Sequence, residues 1–257
     1  MLPWLFIYRA GPDKHPWVNE AERALIMEDA RREEAREGSD PYIPNVKQLL
    51  SHRQTWGIVM SRFFLDPIWW LFVSWLPLYL AETFGFDIKQ IGAFAWVPFV
   101  GAALGSLAGG WISGRMIASG QSVDRARKWT ITLGCLIMTP ALLGAVYAAT
   151  PTVAMLAIAA VLFGFQVAIG NIQTLPGDIF HGRSVGSLAG IGGMAAVTGT
   201  LITTWLVPVM TRESYAPMFI LVAALVPLSL IAIWLVTGRI ERIHAPASSA
   251  SSPSHTS

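Results

Sequence analysis

Charge is what this chain has least of. Only 13% of its 257 residues are Asp, Glu, Lys or Arg, where a soluble domain carries about 25%. A globule solvated by water on all sides is therefore excluded. The net charge is +2, and the positive residues are not gathered into a stripe, so there is no footprint for a nucleic acid partner. Cysteine is nearly absent. Cys135 stands alone in an apolar run, which rules out an intrachain disulfide, leaves the redox compartment unread and suits simple packing. The sequence has no HExxH, no paired cysteine ligands, no phosphate-cradling loop and no Ser or Cys nucleophile beside a base. It thus offers no metal or cofactor site and no enzyme motif. The one enzymatic alternative is an intramembrane hydrolase built on Asp178 and His181.

Apolar residues are abundant instead, at 53%, with a mean hydropathy of +0.51. Six runs are long enough for about 30 Å of hydrocarbon, near 54–82, 90–117, 129–149, 152–176, 186–210 and 215–237. They lack the ten-residue alternation of a barrel, and isolated strands cannot satisfy their backbone in lipid, so all six are expected to be helices. The fold class is an all-α membrane protein, a six-helix transmembrane bundle over 54–240. Pro67, Pro77, Pro98, Pro140, Pro176 and Pro227 fall inside these runs, where neighbouring helices or water would have to satisfy the backbone at any break.

Lys and Arg in the connections set the expected orientation. Arg9 to Arg53 before the first span, Arg115, Arg125, Arg127 and Lys128 after the second, Arg183 after the fourth, and Arg239 and Arg242 in the tail lie on one side. Lys89 and Arg212 are the positives of the other. Both ends of the bundle are therefore expected to be cytoplasmic. Residues 1–8 read as the last turns of an earlier span, with Met1 an internal methionine or truncated start, or else as an interfacial anchor through Trp4 and Tyr8. Residues 9–53 form a polar cytoplasmic linker with a helix capped by Asn19 and Glu22, ended at Gly38, with Leu25, Ile26 and Met27 as a narrow apolar face. This linker is either a solvated connector or a tie between two moving bundles. The tail, 241–257, is low in complexity and expected to be disordered.

Polar residues inside the spans carry the functional signal. Arg62 and Asp66, one turn apart, are expensive in lipid and mark either a polar pathway or a mutually neutralised pair bracing Pro67. A guanidinium can hold a carboxylate by two hydrogen bonds, which suits an acidic ligand. Trp69 and Trp70 could stack on a sugar or pack the bundle; they point about 100° apart, so only one can face a central cavity. In the fourth span Gln166, Gly170, Gln173 and Gly177 share one stripe, and Asn171, Thr174 and Asp178 the next. Such a face fits hydroxyl recognition by Asn171, Gln173 and Thr174, and equally fits hydrogen bonds between helices. Asp178 and His181, beside Arg183, read as a loop charge network. Gly186 and Gly190 in the fifth span suit close helix contact.

Three stretches resemble a known family. HPWVNEAERALI is similar to the central-loop segment, RQTWGIVMSRFFLDPIWWLFVSWLPLYL to the seventh helix, and FGFQVAIGNIQTLPGDIFHGRSVGSLAGIGGMAAVTG to the tenth and eleventh helices of the major facilitator superfamily. The likeness is to its anion:cation symporter branch, with the hexuronate (galacturonate and glucuronate) transporters. It implies proton-coupled uptake of an anionic sugar across a bacterial inner membrane, with the lipid bilayer and a proton or other coupling cation as partners. It also implies twelve helices in two halves, of which this chain would supply the linker and the C-terminal half. The N-terminal six-helix half would then be a missing partner, and the chain alone an inactive or partner-dependent half-transporter. In the family the coupling carboxylates lie mainly in that other half. The loop GGWISGRMIASGQSVDRARK is similar to the superfamily's loop after its second helix, but Gly114 stands where that motif commonly has an acid.

Overall fold

A computed structural model describes His15 and residues 18–37, 42–212 and 214–243. The chain divides into two compact units, Ile43–Ile243 and a second made of Met1–Tyr42 with His244–Ser257. The helix described in the second is α1 (Glu20–Glu37). Its start is the reciprocal cap read from the sequence: Glu22 N–H donates to Asn19 Oδ1 at 2.8 Å and Asn19 N–H to Glu22 Oε2 at 3.2 Å. Leu25, Ile26 and Met27 are exposed on it. The expected helix stub at 1–8, the stop at Gly38 and the tail from His244 lie outside the described residues.

In the larger unit a short α2 (Val46–Ser51) leads into α3 (Arg53–Phe84). Then come α4 (Ile88–Phe94), α5 (Val97–Ala118), α6 (Val123–Val146), α7 (Pro151–Ile179), α8 (Arg183–Met210) and α9 (Ala216–Ile231), the last prolonged by a π-helical turn, Ala232–Val236. Six segments are long and apolar enough to cross a membrane, and no strand occurs among the described residues. The second segment departs from the expected single run. It is divided between α4 and α5 at Ala95 and Trp96, because Pro98 offers no N–H and its ring would meet the carbonyl of Phe94, four residues back. Pro67, Pro77, Pro140, Pro176 and Pro227 instead lie within helices that continue through them.

Close approach of backbones builds the bundle. Gly101, Gly105 and Gly109 form one stripe of α5, and a Cβ on any of them would run into the α7 backbone at Ala159, Phe163 or Val167. Gly134 of α6 and Gly164 of α7 face each other in the same way. Helices that cannot use water to drive association gain from such contact. The sequence pointed to Gly186 and Gly190 for this role, and there the structure corrects it: a Cβ at either would meet open space within this chain. Gly199 of α8 does make a close contact. It lies on the Phe63 carbonyl, the one that Pro67 cannot bond, and a Cβ there would stand 3.2 Å from Pro67 Cγ.

The end of the bundle that carries most Lys and Arg is tied together by charge. Arg53 donates from Nη2 to Leu235 O at 2.7 Å and from Nε to Val236 O at 3.1 Å, placing a cation on the carbonyls that end the last helix. Asp124 accepts from Ile240 N–H at 2.8 Å and pairs with Lys128 at 2.8 Å, whose ammonium sits 5.2 Å over the Trp234 ring. Arg53→Ala should loosen this end by about 1 kcal/mol, seen as faster amide exchange at Thr237 with α7 unchanged. At the opposite end Tyr215 donates to Glu82 at 2.6 Å. Burial, reinforced by the Glu82 carboxylate, raises the Tyr215 pKa, so the hydroxyl stays a donor through the ordinary range of tyrosine ionisation.

Candidate functional site

The α3 helix presents Arg62 and Asp66 on one face. Arg62 donates from Nε to Asp66 Oδ2 and from Nη2 to Asp66 Oδ1, both at 3.2 Å, and the two side chains are only 16% and 12% exposed. The pair is therefore formed, and one edge of the guanidinium is fully used by an internal carboxylate. Gly192 and Gly193 of α8 face the same guanidinium; a Cβ on Gly192 would lie 3.2 Å from Arg62 Cδ. Beside the pair is a cavity of about 260 Å³, lined by Ile58 and Arg62 of α3, Ile172, Gln173 and Pro176 of α7, and Leu188 and Ala189 of α8. One cation and one amide thus face a mostly apolar chamber, a composition typical of small-molecule sites.

The remaining candidates separate into two groups. Trp69 lies near-parallel to Phe165 at 5.7 Å and edge-on to Phe99 at 5.9 Å, locking α3 against α7 and α5. Trp70, about 100° further round, is 48% exposed. Gln173 and Thr174 are exposed and Gln166 is half-buried. The Thr174 hydroxyl donates to Asn171 O within its own helix at 2.8 Å.

Asn171 is buried and does not line the Arg62 cavity. Its Nδ2 donates to Val167 O at 2.9 Å and to Gly109 O at 3.3 Å, while its Oδ1 accepts from Arg127 Nη1 at 3.1 Å. Of the two uses open to it in the sequence, this is the bond between helices.

Arg127 is the residue that sequence reasoning placed elsewhere, among the charges that set orientation. It joins α5, α6 and α7. Nε donates to Asp178 Oδ2 at 2.9 Å, and Nη1 to Asn171 Oδ1 at 3.1 Å and to Ser113 Oγ at 3.3 Å. The available signal was a pair of opposite charges at the same end of successive spans, but 51 residues separate them. Asp178, one of the two residues of the hydrolase alternative, is thereby held by a guanidinium. Arg127→Ala leaves Asp178 and Asn171 without their donor, at a cost of about 3 kcal/mol. The melting temperature of the purified chain in detergent should fall accordingly, and less for Asp178→Asn.

No family model matches the chain. Curated relatives do. A hexuronate transporter of Escherichia coli (strain K12) is 30% identical over 238 residues, 91% of this chain and 54% of the relative. A probable galactarate/D-glucarate transporter of the same strain is 28% identical over 244 residues, again 91% and 54%. A galacturonate transporter of Dickeya chrysanthemi is 33% identical over 139 residues, 53% of this chain and 39% of the relative. The chain spans about half the length of the first two relatives, whose names describe transporters rather than enzymes. With six helices among the described residues long and apolar enough to cross a membrane and this likeness along nine tenths of its length, the chain is a multi-pass helical membrane protein that resembles the hexuronate transporters of the major facilitator superfamily.

Proposed function

We propose that this chain is the C-terminal half of a transporter that brings sugar acids of the hexuronate type into a cell together with protons. The observation that carries the reading is the cavity shared by Arg62 and Gln173. A guanidinium matches a carboxylate in geometry and charge, and an amide offers both a donor and an acceptor to a hydroxyl. The apolar walls can cover the C–H face of a sugar ring. Arg62 is the proposed carboxylate receptor, Gln173 the hydroxyl partner, and Trp69, Asn171 and Arg127 the frame that holds α3 and α7 in place. Trp70, Thr174 and Gln166 are left to face a six-helix partner half across the pathway, in the arrangement where two bundles rock about a central site. In this orientation the Lys- and Arg-rich end is cytoplasmic.

Uptake of labelled galacturonate into cells tests the reading. Cells expressing the chain with a facing six-helix half should accumulate the label, and cells expressing the chain alone should not. No uptake of galacturonate or glucuronate in the paired case would reject the substrate class.

A further inference from the structure

The Arg62–Asp66 pair poses a problem of charge. The guanidinium has two edges that can grip a carboxylate, and Asp66 already occupies the one made by Nε and Nη2. The Nη1 end of the other edge turns toward α8, where a Cβ on Gly192 or Gly193 would lie 3.5 or 4.0 Å away, so the space between them would take about one methyl group. A substrate carboxylate gains the full bidentate geometry only on the edge that Asp66 holds. The pair is neutral as it stands, and adding an anion would leave an uncompensated negative charge in a site shielded from water, a costly state.

Among the described residues, no second cation lies beside the pair to balance that charge. The elements packed against α3 are α2, α4, α7, α8, α9 and the π-helical turn, with α5 touching it through Phe99. Their charged residues are Lys47 of α2, Lys89 of α4, Arg115 in the last turn of α5, Asp178 of α7 and Arg183 of α8, with none in α9 or the turn. Lys47, Lys89 and Arg183 sit at the extreme ends of the bundle, and Asp178 is held by Arg127. The other charges on α3 itself are Arg53, bonded to the last helix, and Glu82, which accepts from Tyr215.

We propose that Asp66 is a resident carboxylate which the sugar acid displaces from Arg62, and that Asp66 takes up one proton from water for each sugar acid bound. This rests on Arg62 being the carboxylate receptor. The exchange is balanced: the substrate anion replaces the Asp66 anion on the guanidinium, a hydronium ion gives up one O–H bond as one forms on the released Asp66 carboxylate, and no bond between heavy atoms changes. On release of the sugar acid, Asp66 gives up the proton and recaptures Arg62. Proton coupling therefore has a carrier within this half, in the residue that competes with the ligand.

Titration of D-galacturonate into the chain reconstituted together with a facing six-helix half in lipid nanodiscs, followed calorimetrically in two buffers of different ionisation enthalpy, counts the protons. The unaltered chain should take up about one proton per galacturonate, with affinity falling about tenfold per unit rise in pH above neutrality. Asp66→Asn should bind with no proton uptake and little pH dependence. Proton uptake that persists in Asp66→Asn, or binding to the unaltered chain without any, would overturn the proposal. Absence of binding to either chain would instead overturn the sugar-acid reading, and this inference with it. Should Asp66→Asn not fold, the infrared difference spectrum of the unaltered chain decides. Galacturonate should induce a protonated-carboxyl band that shifts on 13C-aspartate labelling, and no such band would overturn the proposal.

Discussion

Replacing Arg62 with Ala is expected to cut galacturonate uptake about 100-fold or more, with the amount of chain in the membrane little changed. Truncating one partner of a buried, hydrogen-bonded charge pair costs about 2–5 kcal/mol, and here the lost group serves two carboxylates in turn. The substrate loses its counter-charge. Asp66, 8% exposed, loses the only cation bonded to it among the described residues. Arg62→Lys should recover little, because an ammonium keeps the charge but not the planar fork. Initial rates of labelled uptake, normalised to chain content, check both substitutions. An Arg62→Ala chain that keeps more than a tenth of the rate would reduce Arg62 to a structural partner of Asp66.

Gly105→Leu is expected to destroy the fold rather than the site. The close approach of α5 to α7 places the Phe163 backbone where the new Cβ would go, and backbone cannot swing aside as a side-chain tip can. Overpacking a tight core typically costs about 1–3 kcal/mol and sometimes more; a whole isobutyl group against main chain belongs at or above the upper end. The chain should leave detergent size-exclusion as aggregate instead of a single peak. Gly144→Leu on α6 is the control, since a Cβ there meets nothing within 4 Å, and it should elute as the unaltered chain does. Equal behaviour of the two would contradict the helix contact.

The number and placing of the spans were legible because lipid demands long apolar runs, and composition records them without tertiary information. The Asn19–Glu22 cap was legible for a similar reason, since both partners lie within one turn. Which glycines touch was not. Gly186 with Gly190 and Gly101 with Gly105 and Gly109 have the same spacing, and only the packing of α5 on α7 tells them apart. Nor was the role of Arg127, whose partners come from helices far along the chain. A charge near a span end carries a topological signal strong enough to hide a structural one. The Arg62–Asp66 pair sits between these cases: its spacing predicted the ion pair, while the cavity beside it needed α7 and α8.

The claim at the centre of the account is that the cavity recognises a carboxylate. Counterflow into proteoliposomes carrying the chain with its facing half tests it most directly, because the methyl ester of galacturonate has nearly the shape of the acid without its charge. Unlabelled galacturonate inside the vesicles should drive entry of the labelled acid, and the methyl ester and galactose should not. Equal counterflow from the methyl ester would contradict the account, since the site would then be reading the sugar and not the acid.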